Sequence, residues 1–185
     1  MAEPEIERLS QRHILTSRLQ LVPFTANHIT DTYIGWLNDP SVTRFSKHRS
    51  RSHDRASCEA FLKTFVGSDS FFWALELQND SYRHFGNMVA YVDRPNSTAN
   101  LTIMLGEEDL WGHGYGLEAW NGGMTFLLDE VGLRKVWAGT MATNAGMLKI
   151  MKNSGMISDG VRRREYMWEG KEVDLVYMAT FSGQA

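Results

Sequence analysis

The sequence contains one cysteine, Cys58, in 185 residues. No intrachain disulfide can form, and a reducing cytoplasm is the expected compartment. The four prolines are scattered, so no proline-rich linker divides the chain. No apolar run approaches the roughly 20 residues that span a bilayer. The opening "MAEPEIERLSQRH" is charged and lacks the apolar centre of a secretory signal. Positive charge is not in excess either. With a net charge of −3, the broad basic footprint of a nucleic-acid binder is missing. Neither a membrane nor a nucleic acid is therefore expected as a partner.

What is present is an ordinary globular composition, with a hydrophobic share of 43%. It is enough for one core, so a single domain over residues 13–182 is expected, preceded by a flexible segment at 1–12. "RLQLVPF" alternates and predicts a strand with Leu19 and Leu21 on one face. "TANHITDTYIGWLNDP" predicts a helix capped by Thr25, and "SHDRASCEAFLKTFVG" a second whose stripe is Ala60, Phe61, Phe65 and Val66. Cys58 lies in that second pattern and is read as core packing rather than as a nucleophile. "FFWALEL", "FGNMVAYV" and "LTIML" predict an antiparallel meander. A helix with Leu117, Trp120, Met124, Leu127, Leu128 and Val131 along one side follows. Gly122 and Gly123 inside it each cost about 1 kcal/mol relative to alanine, so they imply a close neighbour. "KVWAGTM" is a strand, and "NAGMLKIMKNSGM" a helix capped by Asn144 and stopped by Gly155. The remainder predicts a hairpin turning near Glu169-Gly170. Three consecutive strands before the central helix exclude a fully parallel doubly wound sheet.

The most informative stretch is "LWGHGYGLEAW", with glycines at 112, 114 and 116 between a strand and a helix. The free N–H groups of a first helical turn attract anions, and missing side chains let a phosphate approach. The spacing does not fit a dinucleotide fingerprint, because the third glycine comes one residue early and "KVWAGTM" does not end in an acid. No Gly-Lys-Ser/Thr tripeptide supplies a P-loop.

"IMLGEEDLWGHGYGLEAW" followed by "LRKVWAGTMATNAGMLKIMKNSGM" resembles the GNAT superfamily of N-acetyltransferases. That superfamily's loop has the form Q/R-x-x-G-x-G/A, and its next helix carries Asn and then Gly-Phe some eleven residues on. Gly114 and Gly116 match the loop, Asn144 the asparagine, and Gly155-Met156 the closing pair. The resemblance runs from about His13 to Phe181. Trp111 replaces the usual first Gln or Arg. This variant and "YIGWLNDPSVTRF" are similar to the branch of ribosomal-protein N-terminal acetyltransferases and sugar-nucleotide amine N-acetyltransferases.

The resemblance implies an α/β (α+β) fold. It would be a mixed, largely antiparallel, twisted sheet of about seven strands with about four helices, splayed by a bulge between the fourth and fifth strands. It implies acetyl-CoA as cosubstrate and no metal. The backbone of Met104, Leu105 and Gly106 would pair with the pantetheine arm, and the loop Trp111, Gly112, His113, Gly114, Tyr115, Gly116 and Leu117 would hold the diphosphate. Asn144 and Lys149 would complete the CoA contacts. The Tyr and Ser that serve as acids in the superfamily are replaced here by Met151 and Met147. Either water serves as the acid or a side chain from another element does, with Tyr115 and Tyr166 as candidates. Glu107, Glu108, His84 and Asp93 remain as bases, with Glu107 and Tyr115 chosen.

The acceptor stays open among three readings. The first is a small-molecule amine, for which a nucleotide-linked amino sugar suits the sequence. The others are a protein α-amine and a non-catalytic acyl-CoA sensor. The basic stretch "TRFSKHRSRSHDR" favours an anionic ligand, with Arg49 and Arg51 as its contacts. A homodimer is a further expectation of the resemblance.

Overall fold

A computed structural model describes residues 8–46 and 49–183. Eight strands form one mixed sheet in the order β1-β2-β3-β4-β5-β6-β8-β7. They are β1 (Ile14–Leu15), β2 (Leu19–Pro23), β3 (Phe71–Leu77), β4 (Arg83–Asp93), β5 (Thr98–Leu105), β6 (Lys135–Met141), β7 (Ile157–Trp168) and β8 (Lys171–Phe181). The two-residue β1 is the strand beyond the seven expected. Five α-helical segments accompany the sheet among the described residues. They are α1 (Asp31–Asn38), α2 (Pro40–Thr43), α3 (Arg55–Lys63), α4 (Tyr115–Thr125) and α5 (Ala145–Asn153). Residues 8–10 form a helical turn that buries Leu9 in the core. Residues 1–7 of the expected flexible segment lie outside the described residues.

Two apolar layers sandwich the sheet. On one face Trp73, Phe85, Met88 and Leu101 pack against Trp120, Met124 and Leu127 of the α4 region. Trp73, Trp120, Phe85 and Phe126 are fully buried, each contributing roughly 3 kcal/mol from burial. On the other face Val22, Phe72, Ala74 and Val89 pack against Tyr33 and Trp36 of α1 and Cys58 of α3. Cys58 is thus a core residue, and burial pushes its thiol pKa up.

Local details correct several boundaries. Thr25 begins a short 3-10 turn at Ala26–His28, whereas Thr30 caps α1 by accepting the Tyr33 N–H at 3.1 Å. Both threonines satisfy the same capping chemistry, and the true helix starts at the second. The α3 helix ends at Lys63, so its buried side is Cys58 rather than Ala60, and Val66 beyond it is 81% exposed. The α4 helix ends at Thr125 and continues as a π turn over Phe126–Glu130. The neighbours of its glycines are now identified: a methyl at Gly123 would lie 2.6 Å from Met88 Sδ, and one at Gly122 3.0 Å from a Thr16 methyl. The final hairpin turns at Glu169-Gly170, both with positive φ (47° and 74°), as a two-residue type I′ turn requires.

The feature that positions the site lies at mid-sheet. Strands β5 and β6 are parallel and pair only at Thr98–Lys135, Ala99–Val136 and Asn100–Trp137. Beyond Asn100 they separate, while β5 stays in register with β4 through Leu105. No bulge interrupts those eight β4–β5 pairs; the register shift falls between Leu75 and Glu76 in β3 instead. The N–H groups of Gly106 and Glu107 both turn onto Phe85 O, at 2.9 and 3.3 Å, as β5 ends.

Candidate active site

The wedge between β5 and β6 leads to the glycine loop. Gly112 and Gly114 have φ of 80° and 85°, a left-handed backbone that side chains rarely adopt. Gly114 is the N-cap of α4, and the first helical bond runs from Glu118 N to Gly114 O at 3.1 Å. Among the described residues, the N–H groups of residues 112–117 meet no backbone or side-chain acceptor. They form a fan of donors at a positive helix end, an arrangement suited to an anion. Gly116 faces inward, and its absent side chain leaves room for Ile150 of α5 and Leu105 of β5, each 3.1 Å from where a methyl would sit.

The alternation of the ladder sends the N–H of Leu105 toward the open side of β5, because Gly106 N bonds to β4. The Leu105 carbonyl accepts the indole N–H of Trp111 at 3.1 Å, so this side of the strand retains its N–H for a ligand. Met104 turns its side chain to the other face and packs beside α1. Gly106 has no room for a side chain, since a methyl there would fall within the Trp36 indole ring.

Asn144 caps α5, accepting from Met147 N at 3.1 Å and donating to Thr140 Oγ1 at 3.0 Å. Lys149 is exposed on α5. Met151 is fully buried and Met147 is half-buried, so both methionines serve the core. Tyr115 packs its ring under the Arg18 guanidinium, 4.2 Å away, and beside Phe85 at 5.9 Å. That is a different direction from the Gly116 surface that meets Leu105 and Ile150.

A cavity of about 380 Å³ opens on the α1 face of the sheet, lined by His28, Thr30, Trp36, Arg83, His84 and Glu107 among others. Glu107 accepts the Trp36 indole N–H at 3.1 Å and forms an ion pair with Arg83, which also reaches Asp109 at 3.2 Å. His84 is no surface group. It lies among Phe24, His28, Tyr33 and Trp36, and its Nε2 is 2.9 Å from Gly86 O. A carbonyl accepts, so Nε2 carries the proton and Nδ1 keeps its lone pair. Burial, reinforced by the charge of His28, pushes the His84 pKa down to about 4 against the pull of Gly86 O. The other two acids sit elsewhere: Asp93 is the exposed last residue of β4 and is bonded to Asn96, and Glu108 bonds to Ser41.

This histidine yields a pH prediction. Its folded pKa lies below the ordinary 6.5, so its neutral form stabilises the fold above that value. The contribution disappears as pH falls from 6.5 toward 4. The shift corresponds to about 3 kcal/mol. Urea unfolding of the wild type and of His84→Gln at pH 7 and pH 4 checks this. The wild type should lose about 3 kcal/mol more than the variant, and parallel losses would exclude the assignment.

The described residues of the basic stretch form a strap. Ser41 of α2 bonds to Glu108 just beyond β5. A few residues later Arg44 pairs with Glu169 at 3.1 Å, Trp168 donates its indole N–H to Arg44 O at 3.2 Å, and Phe45 stacks on Trp168 at 5.4 Å. Arg49 donates to Met167 O at 3.0 Å, and Arg51 is exposed. Lys47, in the same basic stretch, lies outside the described residues. Because β8 pairs with β6, the strap joins the two lips of the wedge. Sequence reading missed these contacts, and it missed Arg18, whose bonds to the glycine loop link residues almost a hundred positions apart.

Residues 18–157 match the profile of the "Acetyltransferase (GNAT) domain". No curated protein matches the sequence. Solved structures share the fold at low identity. The spermidine N-acetyltransferase from Vibrio cholerae, in complex with CoA and spermine, superposes with a TM-score of 0.81 at 12% identity, over 91% of this chain and 98% of that one. The ribosomal-protein-S5-alanine acetyltransferase from Vibrio fischeri gives 0.79 at 14% identity, over 94% and 98%. RimJ from Mycobacterium smegmatis, in complex with CoA-disulfide, gives 0.75 at 13% identity, over 88% and 81%. No helix among the described residues is long and apolar enough to cross a membrane, and no group of three or more His, Cys, Asp or Glu among them is placed to hold a metal. The matched profile covers the parted strands, the glycine loop and the asparagine-capped helix together, so the chain belongs to the GNAT acetyltransferase family and is an acetyl-CoA-dependent N-acetyltransferase.

Proposed function

We propose that the acceptor is the primary amine of an anionic small molecule, an amino sugar linked to a nucleotide being the kind that suits the site. The observation that carries this reading is the strap. By tying the end of β5 to the β7–β8 hairpin it bounds the wedge on the acceptor side. It also brings Arg44, paired with Glu169, and Arg49, bonded to Met167 O, to that rim, and Arg51 is exposed two residues further on. A bounded opening with positive charge favours a compact anion over an extended polypeptide.

Acetyl-CoA supplies the activated acetyl group, and transfer to the amine releases the CoA thiol. The loop donors at 112–117, with the Leu105 N–H, Asn144 and Lys149, hold the cosubstrate. Glu107 draws the acceptor's ammonium into the cavity and accepts a proton from it before attack, while the neutral His84 offers its Nδ1 lone pair to the amine as a hydrogen-bond acceptor. Trp36 and Arg83 keep the Glu107 carboxylate in place. Positioning of the two reactants is the main source of acceleration, since no side-chain nucleophile is required. Tyr115 has no part in the proton transfers. The cytoplasm is the compartment this reading assumes, on the strength of the lone, buried Cys58.

The test measures free-thiol release from acetyl-CoA with amino-sugar nucleotides, polyamines and peptides bearing free N-terminal alanine or serine. Turnover with an amino-sugar nucleotide at least about tenfold above the peptides is expected, which corresponds to about 1.4 kcal/mol in transition-state binding. Faster turnover of the peptides or polyamines would overturn the acceptor class while leaving the acetyltransferase assignment intact.

A further inference from the structure

The side chain that organises the glycine loop comes from almost a hundred residues earlier. Arg18 lies at the entrance to β2, and three separate contacts carry it to the start of α4. Its Nε donates to Glu118 Oε2 at 2.7 Å, its Nη1 donates to His113 O at 3.2 Å, and its guanidinium covers the Tyr115 ring at 4.2 Å. Glu118 is itself fixed by two more donors, the Arg18 N–H at 2.7 Å and Thr16 Oγ1 at 2.6 Å. Burial alone would raise the Glu118 pKa, but these bonds hold it below the ordinary carboxylate value. Arg18 Nη2 lies 3.5 Å from where a methyl on Gly114 would sit, and it makes no hydrogen bond among the described residues.

We infer that Arg18 is a positioning residue for the diphosphate loop. The inference rests on the reading that residues 112–117 hold that group. The carbonyl of His113 is turned toward Arg18, and turning one side of a peptide fixes the other, so the Gly114 N–H is held facing away from the arginine. Glu118 takes Nε and so orients the guanidinium plane. A guanidinium held at two of its nitrogens loses little freedom, so it keeps the His113 peptide in one orientation. The device also explains why Glu118, an acid at the first turn, does not repel the anion. Its charge is consumed by Thr16 and Arg18 on the side of the helix facing β1 and β2.

The experiment compares wild type, Arg18→Ala and Arg18→Lys with two acetyl donors, acetyl-CoA and S-acetylpantetheine, which lacks the diphosphate. Each protein is first shown to be folded by circular dichroism. The backbone N–H of residue 18 can still bond to Glu118 in either variant. Arg18→Ala should raise the KM for acetyl-CoA by about 30-fold while changing kcat by less than about threefold. With S-acetylpantetheine the variant and wild type should have kcat/KM within about twofold of each other. Arg18→Lys, which keeps the charge but loses the fork, should fall between them. An unchanged KM for acetyl-CoA, or an equal loss with both donors, would overturn the inference. A companion Gly114→Val protein separates the two levels. If that variant binds CoA normally, the loop reading itself fails; if it binds poorly while Arg18→Ala binds normally, only the role of Arg18 fails.

Discussion

Replacing Gly114 by valine should weaken CoA binding by about 100-fold in a protein that still folds, a loss of about 2.7 kcal/mol. Two effects add. The residue sits at φ 85°, where a side chain costs roughly 1–2 kcal/mol and a β-branched one is least tolerated. Relaxation of that strain rotates the very peptides whose N–H groups face the anion. The added side chain also enters the space beside Arg18 Nη2. Isothermal calorimetry with CoA measures the outcome, and Gly114→Ala should fall between the two proteins. Wild-type affinity in a folded Gly114→Val protein would remove the loop from the binding site.

The second large effect is expected at Gly106, where alanine should destabilise the fold by about 3 kcal/mol and lower Tm by about 8 °C. A methyl there would overlap the Trp36 indole ring. This is not the flexible end of a long side chain that can swing aside. Trp36 is 7% exposed, locked between Tyr33 and His84, and donates to Glu107. Moving the indole therefore breaks the Glu107 bond and opens the cavity wall as well. Differential scanning calorimetry checks the stability, and activity should fall together with it. A Tm within about 2 °C of wild type would show that the Trp36 wall yields cheaply.

The contrast between these two glycines explains what was legible in the sequence. Gly114 announces itself because a positive-φ N-cap between a strand and an apolar helix is a local pattern, as are Asn144 as a cap and Glu169-Gly170 as a turn. Gly106 announces nothing, because its constraint is a ring contributed by α1 some seventy residues earlier. The same holds for Arg18 and Glu118, and for Glu107 with Arg83. Each partner is an ordinary charged residue until the sheet brings the two together. The site was thus readable where backbone geometry dictates the residue, and unreadable where a side chain is held by a distant element. Boundaries failed for a third reason, competition between equivalent local signals. Thr25 and Thr30 can both cap a helix, and the apolar pattern through Val66 outlasts the helix that ends at Lys63.

At the far margin of the sheet, β7 offers twelve residues of backbone with a free side, which would ordinarily invite a stranger's strand to zip along it. Its weave is broken twice, between Ser158 and Gly160 and between Arg162 and Tyr166. The second break carries Arg162, Arg163 and Arg164, tethered to Glu165, Asp174 and Glu172. A flat foreign strand finds no uninterrupted run of donors and acceptors there, and it meets clustered guanidinium groups where it would have to lie. The border works like the selvedge of a cloth, finishing the fabric so that it neither frays nor stitches itself to the next piece.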